Sequence, residues 1–283
     1  MAFESFRPEI WSGALLSNLR DAHVAVGLCN RNYEGEIREF GDVVKISQIG
    51  TVNVNTYTED STTLTYQVVN GAQTQLHIDQ QYYIAFSIDD VNQAQMKPKV
   101  VSAYMEESAW GLSDQADSSI LAKYDEANIV TGLGTSGTPI DITSVNVTDY
   151  CGLVNMRMNM ANVPTQRRYF IVAPWFAHKM LLAKIMLSTN NTSNLDNGFL
   201  GNFMGLNIFE SNNVSIGTAS TLADTRMIAG YPGSITFAEQ TVKMEALRRE
   251  NSFKDAIRGL HVYGSKVFPD RTACLRADYT AEP

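Results

Sequence analysis

The chain has 283 residues, enough for one large domain or two smaller ones with an ample core. Its 44% hydrophobic and 18% charged residues are globular values, and a formal net charge of −8 argues against tight binding to nucleic acid phosphates or to an anionic membrane. No apolar run approaches the ~18 residues of a membrane span and residues 1–10 carry no signal-peptide pattern, so the chain reads as cytosolic, with Cys29, Cys151 and Cys274 as reduced, mostly buried thiols.

Residues 1–28 open on an apolar tip (Phe3, Phe6, Pro8). Ile10, Ala14, Leu15, Leu19, Ala22 and Val26 then fall at three- and four-residue spacings, which predicts a short amphipathic helix. Residues 30–37 are too polar for a core. From Gly41 to Asp90 the period changes. Val44 and Ile46, Val52 and Val54, then Leu64, Tyr66 and Val68 alternate with Ser, Thr, Asn and Gln, the signature of strands. A phase shift at Ile49-Gly50 predicts a bulge, and residues 58–61 and Asn70-Gly71 predict turns. The result is a long hairpin arm. Two strands without a third layer are marginal in water, so this arm must lie on something, in its own molecule or in another.

Leu76 and Ile78, then Tyr82, Ile84, Phe86 and Ile88, predict strands with one buried face. Asp89-Asp90 offer capping oxygens, and a helix begins near Met96–Pro98. Val101, Met105, Ser108, Leu112, Ala116 and Ile120 form its apolar stripe, with Glu107, Asp114 and Asp125 opposite. Nearly thirty helical residues would span roughly 40 Å. Trp110 and Leu121 fall on the acidic face, where a monomer should show no large apolar group, and so point to a neighbour. Beyond the loop at 132–137, the pattern predicts a strand at 139–147, a helix at 147–160, a buried strand at 169–173 and a helix at 175–186. A polar loop at 188–197 and strands at 199–210 and 226–238 follow, making a compact α/β unit over 146–237. Two last strands, 242–247 and 259–267, are joined by 248–257.

No segment carries recognisable chemistry. Residues 132–137 match GxGxxG, but they follow a helix and run into the strand-like Thr138-Pro139-Ile140, the wrong setting for a phosphate cradle. His23, His77, His178 and His261 have no metal-ligand spacing and read as structural. Asp89-Asp90 and Glu106-Glu107 point in different directions on a helix and read as capping or solvated groups. Neither a metal, a cofactor nor an enzymatic activity is expected.

Several strings together resemble the major capsid proteins of tailed bacteriophages, which have the Hong Kong 97-type fold. They are Pro8-Glu9-Ile10-Trp11-Ser12, Asn32-Tyr33-Glu34-Gly35-Glu36-Ile37, Gly41-Asp42-Val43-Val44-Lys45-Ile46, Ile78-Asp79-Gln80, Asp89-Asp90-Val91, and two strings near the end, residues 233–240 and 260–267. They keep their order from residue 8 to about 268. The resemblance implies an α+β capsid fold in four parts. An N-terminal arm covers 1–41, an extended loop 42–82, a peripheral domain with a long spine helix 83–145 plus 238–283, and an α/β axial domain 146–237. It implies a homo-oligomer of pentamers and hexamers closing an icosahedral shell around double-stranded DNA, without sequence-specific contact or a membrane. Assembly would take place in the host bacterial cytoplasm, with a portal. Because the arm starts almost at Met1, a separate scaffolding protein is expected.

Some members of this family crosslink through a lysine on the extended loop. From Ile46 to Met96 this chain has none, so no such crosslink is expected. The residues at which copies would meet are Trp11, Arg31, Tyr33, Glu34, Tyr57, Glu59, Asp60, Tyr66, Trp110, Leu121, Arg248 and Arg249. Residues 89–126 are mainly acidic and 226–276 mainly basic, so the spine helix is expected to meet the basic C-terminal surface, within or between subunits. Two rival readings are a cellular nanocompartment shell of the same fold and, from another class, a soluble α/β enzyme with an appended hairpin.

Overall fold

The computed structural model of the chain describes residues 24–33, 43–48, 54–59, 63, 66–67, 72–89, 100–127, 133–134, 138–183, 199–217, 224–248, 254–267 and 276–281. Strands β1 (Val43–Gln48) and β2 (Ala72–His77) form an antiparallel pair, with Val43 opposite His77 and Gln48 opposite Ala72. This is the base of the extended loop, where the alternation placed strands. The expected bulge at Ile49-Gly50, the Asn70-Gly71 turn and most of the N-terminal helix lie outside the described residues. The part of that helix which is described, Val26–Leu28, is a single 3-10 turn.

β3 (Gln80–Asp89) joins β10 (Ile235–Arg248) and β11 (Lys254–Val267) in a three-stranded antiparallel sheet, in the order β10-β11-β3. Along β3, Tyr82, Ile84 and Phe86 are half-buried and Gln81, Tyr83, Ala85 and Ser87 exposed, the alternation of a sheet covered on one side. Helix α1 (Val100–Leu121) covers it, packing Met105, Ala109 and Leu112 against those three aromatic and aliphatic residues. α1 runs 22 residues, about 33 Å at ~1.5 Å per residue, and ends in a 3-10 turn over Ala122–Glu126. The β10–β11 hairpin is longer than its apolar pattern. Pairing continues to Arg248 and Asp255, through residues whose polarity had marked them as a connection, because a half-solvated antiparallel pair accepts polar side chains on its outer face.

The second sheet has seven strands. β4 (Ile140–Asp141), β12 (Arg276–Ala281), β9 (Asp224–Gly230), β5 (Tyr169–Val172), β7 (Leu206–Glu210) and β6 (Phe199–Phe203) lie in that order, with β8 (Ser215–Gly217) beside β9. β5 and β7 are parallel and all four residues of β5 are buried. Helices α2 (Val147–Met160) and α3 (Pro174–Leu182) pack together on this sheet, where Phe176 meets Tyr150 and Phe170 edge-on at 6.1 and 5.8 Å. Two sequence expectations change here. The strand expected at 139–147 is only two residues long, because Thr143 and Asn146 exchange side-chain and amide hydrogen bonds and turn the chain into α2. The chain also has a strand beyond the two last ones expected: residues 276–281 form β12, between β9 and β4.

The stretch expected as one strand at 199–210 is a hairpin. Met204 and Gly205 form its two-residue turn with φ of 50° and 80°, the left-handed pair that matches strand twist. Methionine adopts that conformation at a cost that Asn avoids, so Met204→Asn should raise stability by about 0.5–1 kcal/mol in chemical denaturation.

One core joins the two sheets. Ala116, Ile120 and Leu121 of α1, Ile235, Phe237, Tyr263 and Val267 of β10 and β11, and the buried residues of α2, α3, β5, β7 and β9 form a single cluster. Glu126 fastens the end of the spine: it accepts the Val267 amide at 3.1 Å and lies 3.7 Å from Lys266 Nζ.

Candidate functional site

A smaller cluster anchors the extended loop. Val44 and Ile46 of β1, with Leu76 and Ile78, bury themselves on Ala238 of β10 and Val262 of β11. The loop crosses β11 at Gly264, and a Cβ there would stand 2.2 Å from the His77 carbonyl oxygen. Gly264 is paired in register with Ala238, so the platform under the crossing is made of the two smallest side chains. The base of the loop therefore rests on its own body. Among the described residues further along, Tyr57 is 67% and Tyr66 91% exposed, with Val54 and Glu59 also in solvent. Large apolar groups left exposed together are the mark of a surface awaiting cover.

The outer face of α1 offers a second such surface. Trp110 is 59% exposed, with Glu106 and Glu107 exposed one turn before. Leu121, expected to share this exposure, does not: it is fully buried in its own chain. Residues 110, 114, 117 and 121 lie on one helical ridge, and the chain covers that ridge progressively. Asp114 accepts a hydrogen bond from Asn213 Nδ2 at 2.6 Å. Asp117 takes the Val24 and Val26 amides at 2.8 and 3.2 Å, and Leu121 enters the main core. Helical spacing placed the two residues on one line but could not show where cover begins.

The segment leading into the loop faces inward. Ala25 and Val26 are core residues, and burial, reinforced by Asp117 nearby, holds the Cys29 thiol far above its ordinary range. Asn30 donates its amide to the Ile235 carbonyl at 2.8 Å and accepts from the Phe237 amide at 3.0 Å. Arg31 pairs with Glu239 of β10, and Tyr33 packs against the loop-base cluster. Both were expected at an interface between copies; here they meet their own chain. Arg248 is exposed at the far end of β10, where Arg258 is bound by Glu245 across the hairpin. Between the expected acidic and basic surfaces, Glu126 in the turn after α1 lies 3.7 Å from Lys266 Nζ. Trp11, Glu34, Asp60 and Arg249 lie outside the described residues.

Glu239 and His261 form a buried pair, with Oε2 and Nε2 3.1 Å apart, that the histidine spacing does not reveal. No local pattern signals it, since the partners are 22 positions apart on facing strands. Among the described residues no group of His, Cys, Asp and Glu could hold a metal ion, and no helix is long and apolar enough to cross a membrane.

A family model described as phage capsid protein matches residues 78–277. No curated protein matches the chain. Among solved structures, one from Mycobacterium phage Che8 is 26% identical, with 90% of each chain covered and a TM-score of 0.69. The capsid of cyanophage P-SCSP1u is 17% identical over 93% of this chain and 88% of that one, with a TM-score of 0.63. The capsid of Ralstonia phage GP4 is 12% identical over 90% and 86%, with a TM-score of 0.67, and shares the fold.

Proposed function

The chain belongs to the phage capsid protein family, and we propose that its loop tip and the outer face of its spine helix are the surfaces by which copies bind one another. It is a major capsid protein with an α+β, Hong Kong 97-type fold, and its copies assemble into an icosahedral head. The observation that carries the surface assignment is the division of the hairpin: a base packed on Ala238, Val262 and Gly264, and a far part presenting Tyr57 and Tyr66 to solvent. In a shell each far part lies over the next subunit and gains the layer that it lacks. Trp110 is covered in the same way. Each contact is modest, and closure comes from the number of contacts each copy makes.

In this reading 1–41 is the arm, 42–82 the extended loop, and the sheet β10-β11-β3 with α1 the peripheral domain. The seven-stranded sheet, now including β12, is the axial domain. The head encloses double-stranded DNA without sequence-specific contact. The net charge of −8 suits that role, because phosphates neither adhere to nor immobilise against an acidic wall. A separate scaffolding protein and a portal complete assembly in the host cytoplasm.

Negative-stain microscopy and size-exclusion chromatography of the expressed chain test this. The wild type should form closed particles, and Tyr66→Ser with Trp110→Ser should lower particle yield by about tenfold or more while the subunit keeps its circular dichroism. Full yield from the double variant would remove these two residues from the interface. A wild-type chain that stays a small oligomer under all assembly conditions would argue against the shell itself.

A further inference from the structure

The segment entering the loop is fastened at three places: its amides at Asp117, its bridge at Asn30, and the pairing of Arg31 with Glu239. The third differs chemically from the others. The Glu239 carboxylate is 5% exposed; Oε1 faces Arg31 Nη2, and Oε2 faces Nε2 of His261, which is 1% exposed. One buried anion therefore stands between a guanidinium, which keeps its charge at every accessible pH, and an imidazole, which can gain or lose one.

The geometry fixes the imidazole's state. A carboxylate only accepts, so Nε2 carries its hydrogen toward Glu239. Nδ1 is buried with no hydrogen-bond partner, which is a vacant site for a proton. With Arg31 in place, the anion already has a cation on one oxygen, and a second buried charge on His261 would be uncompensated.

We propose that Arg31 and a proton are alternatives at Glu239, so that lifting the arm is coupled to protonation of His261. When the guanidinium leaves, one proton from water binds Nδ1, and the imidazolium replaces the guanidinium as the counter-charge. Glu239 stays ionised and no bond other than the new N–H forms. Because the released state holds one more proton than the docked state, acid favours release and alkali favours docking. The rings beside the imidazole add no charge: Tyr263 lies 5.2 Å away and Tyr82 stands opposite His261 on β3. Nothing in this device depends on assembly: it is a property of one chain.

The test uses the full chain, in whatever assembly state it adopts, and two mass-spectrometric readouts. Exchange of the imidazole C2 hydrogen gives the titration midpoint of His261 separately from His23, His77 and His178. In Arg31→Met that midpoint should rise by about one pH unit or more relative to wild type, a tenfold gain in proton affinity. Amide exchange over residues 24–33, corrected for intrinsic rate, should increase in the wild type between about pH 8 and pH 5. It should lose that dependence in His261→Gln, whose amide still donates to Glu239. Equal midpoints in wild type and Arg31→Met, or arm protection unchanged across that range in the wild type, would overturn the coupling. Should His261→Gln fail to fold, the comparison of wild type with Arg31→Met decides alone.

Discussion

Gly264→Ala is expected to destabilise the chain by about 3 kcal/mol or more in urea denaturation, with the loss concentrated at the base of the extended loop. The added Cβ would meet the His77 oxygen at 2.2 Å, and the His77 carbonyl carbon and Ile78 Cα at 3.1 Å. All three are backbone atoms, so no side-chain rotation relieves the clash. Either β2 lifts from β11 or β11 bends away from Ala238, and in both cases Val44, Ile46, Leu76 and Ile78 lose their seat. Gly111→Ala provides the contrast. Nothing stands within 4 Å of its Cβ, and it lies inside α1, so the change should be neutral or stabilising by about 0.5–1 kcal/mol. If both variants melted together with the wild type, the crossing at Gly264 would be looser than the structure has it.

Arg168→Met should cost about 3–5 kcal/mol, read as a large fall in Tm. Arg168 is buried at the start of β5 and donates in three directions. Nε reaches the Pro164 carbonyl at 2.9 Å, Nη1 the side-chain oxygens of Asn155 and Asn159 at 2.6 and 2.8 Å, and Nη2 the Val163 carbonyl at 2.5 Å. A methionine fills the volume but leaves these acceptors without their donor, the Val163 carbonyl among them in the buried interior. Asn155 also donates to the Met204 carbonyl at 2.8 Å, so the loss propagates to the β6–β7 turn. Arg168→Lys should recover little, since a single ammonium cannot reproduce a planar fork aimed at several acceptors. A lysine variant as stable as the wild type would show that charge, not geometry, is what the site requires.

The readable parts of the sequence were those where one short period dominates. Tyr150, Val154 and Met158 place α2 where it stands, and the stripe through Met105, Leu112, Ala116 and Ile120 gives the buried face of α1. The alternation at Val44, Ile46 and Leu76 marks the loop base and its inward side. What stayed hidden depends on partners far along the chain. Leu121 has the same ridge position as Trp110 and the opposite environment, because Asn213 and the Val24–Val26 amides cover the ridge from outside the helix. Arg31, expected where copies meet, has Glu239 of its own chain, 208 residues away, beside it. The pairing of β12 with β9 is of the same kind: nothing in residues 276–281 says which sheet they will join.

The loop's narrow seat makes it a lever. The crossing at Gly264 is the fulcrum, and from His77 back toward Tyr66 or from Gln48 on toward Glu59 about eleven residues separate seat from end. At ~3.3 Å per residue an extended strand would reach roughly 35 Å, so a tilt of about 10° at the seat would swing the end through roughly 6 Å. Copies that close an icosahedral head meet neighbours at more than one inclination, and such a swing is the scale of adjustment involved. A pivot built from glycine and alanine lets that adjustment happen where few side chains must rearrange, leaving the far end undistorted.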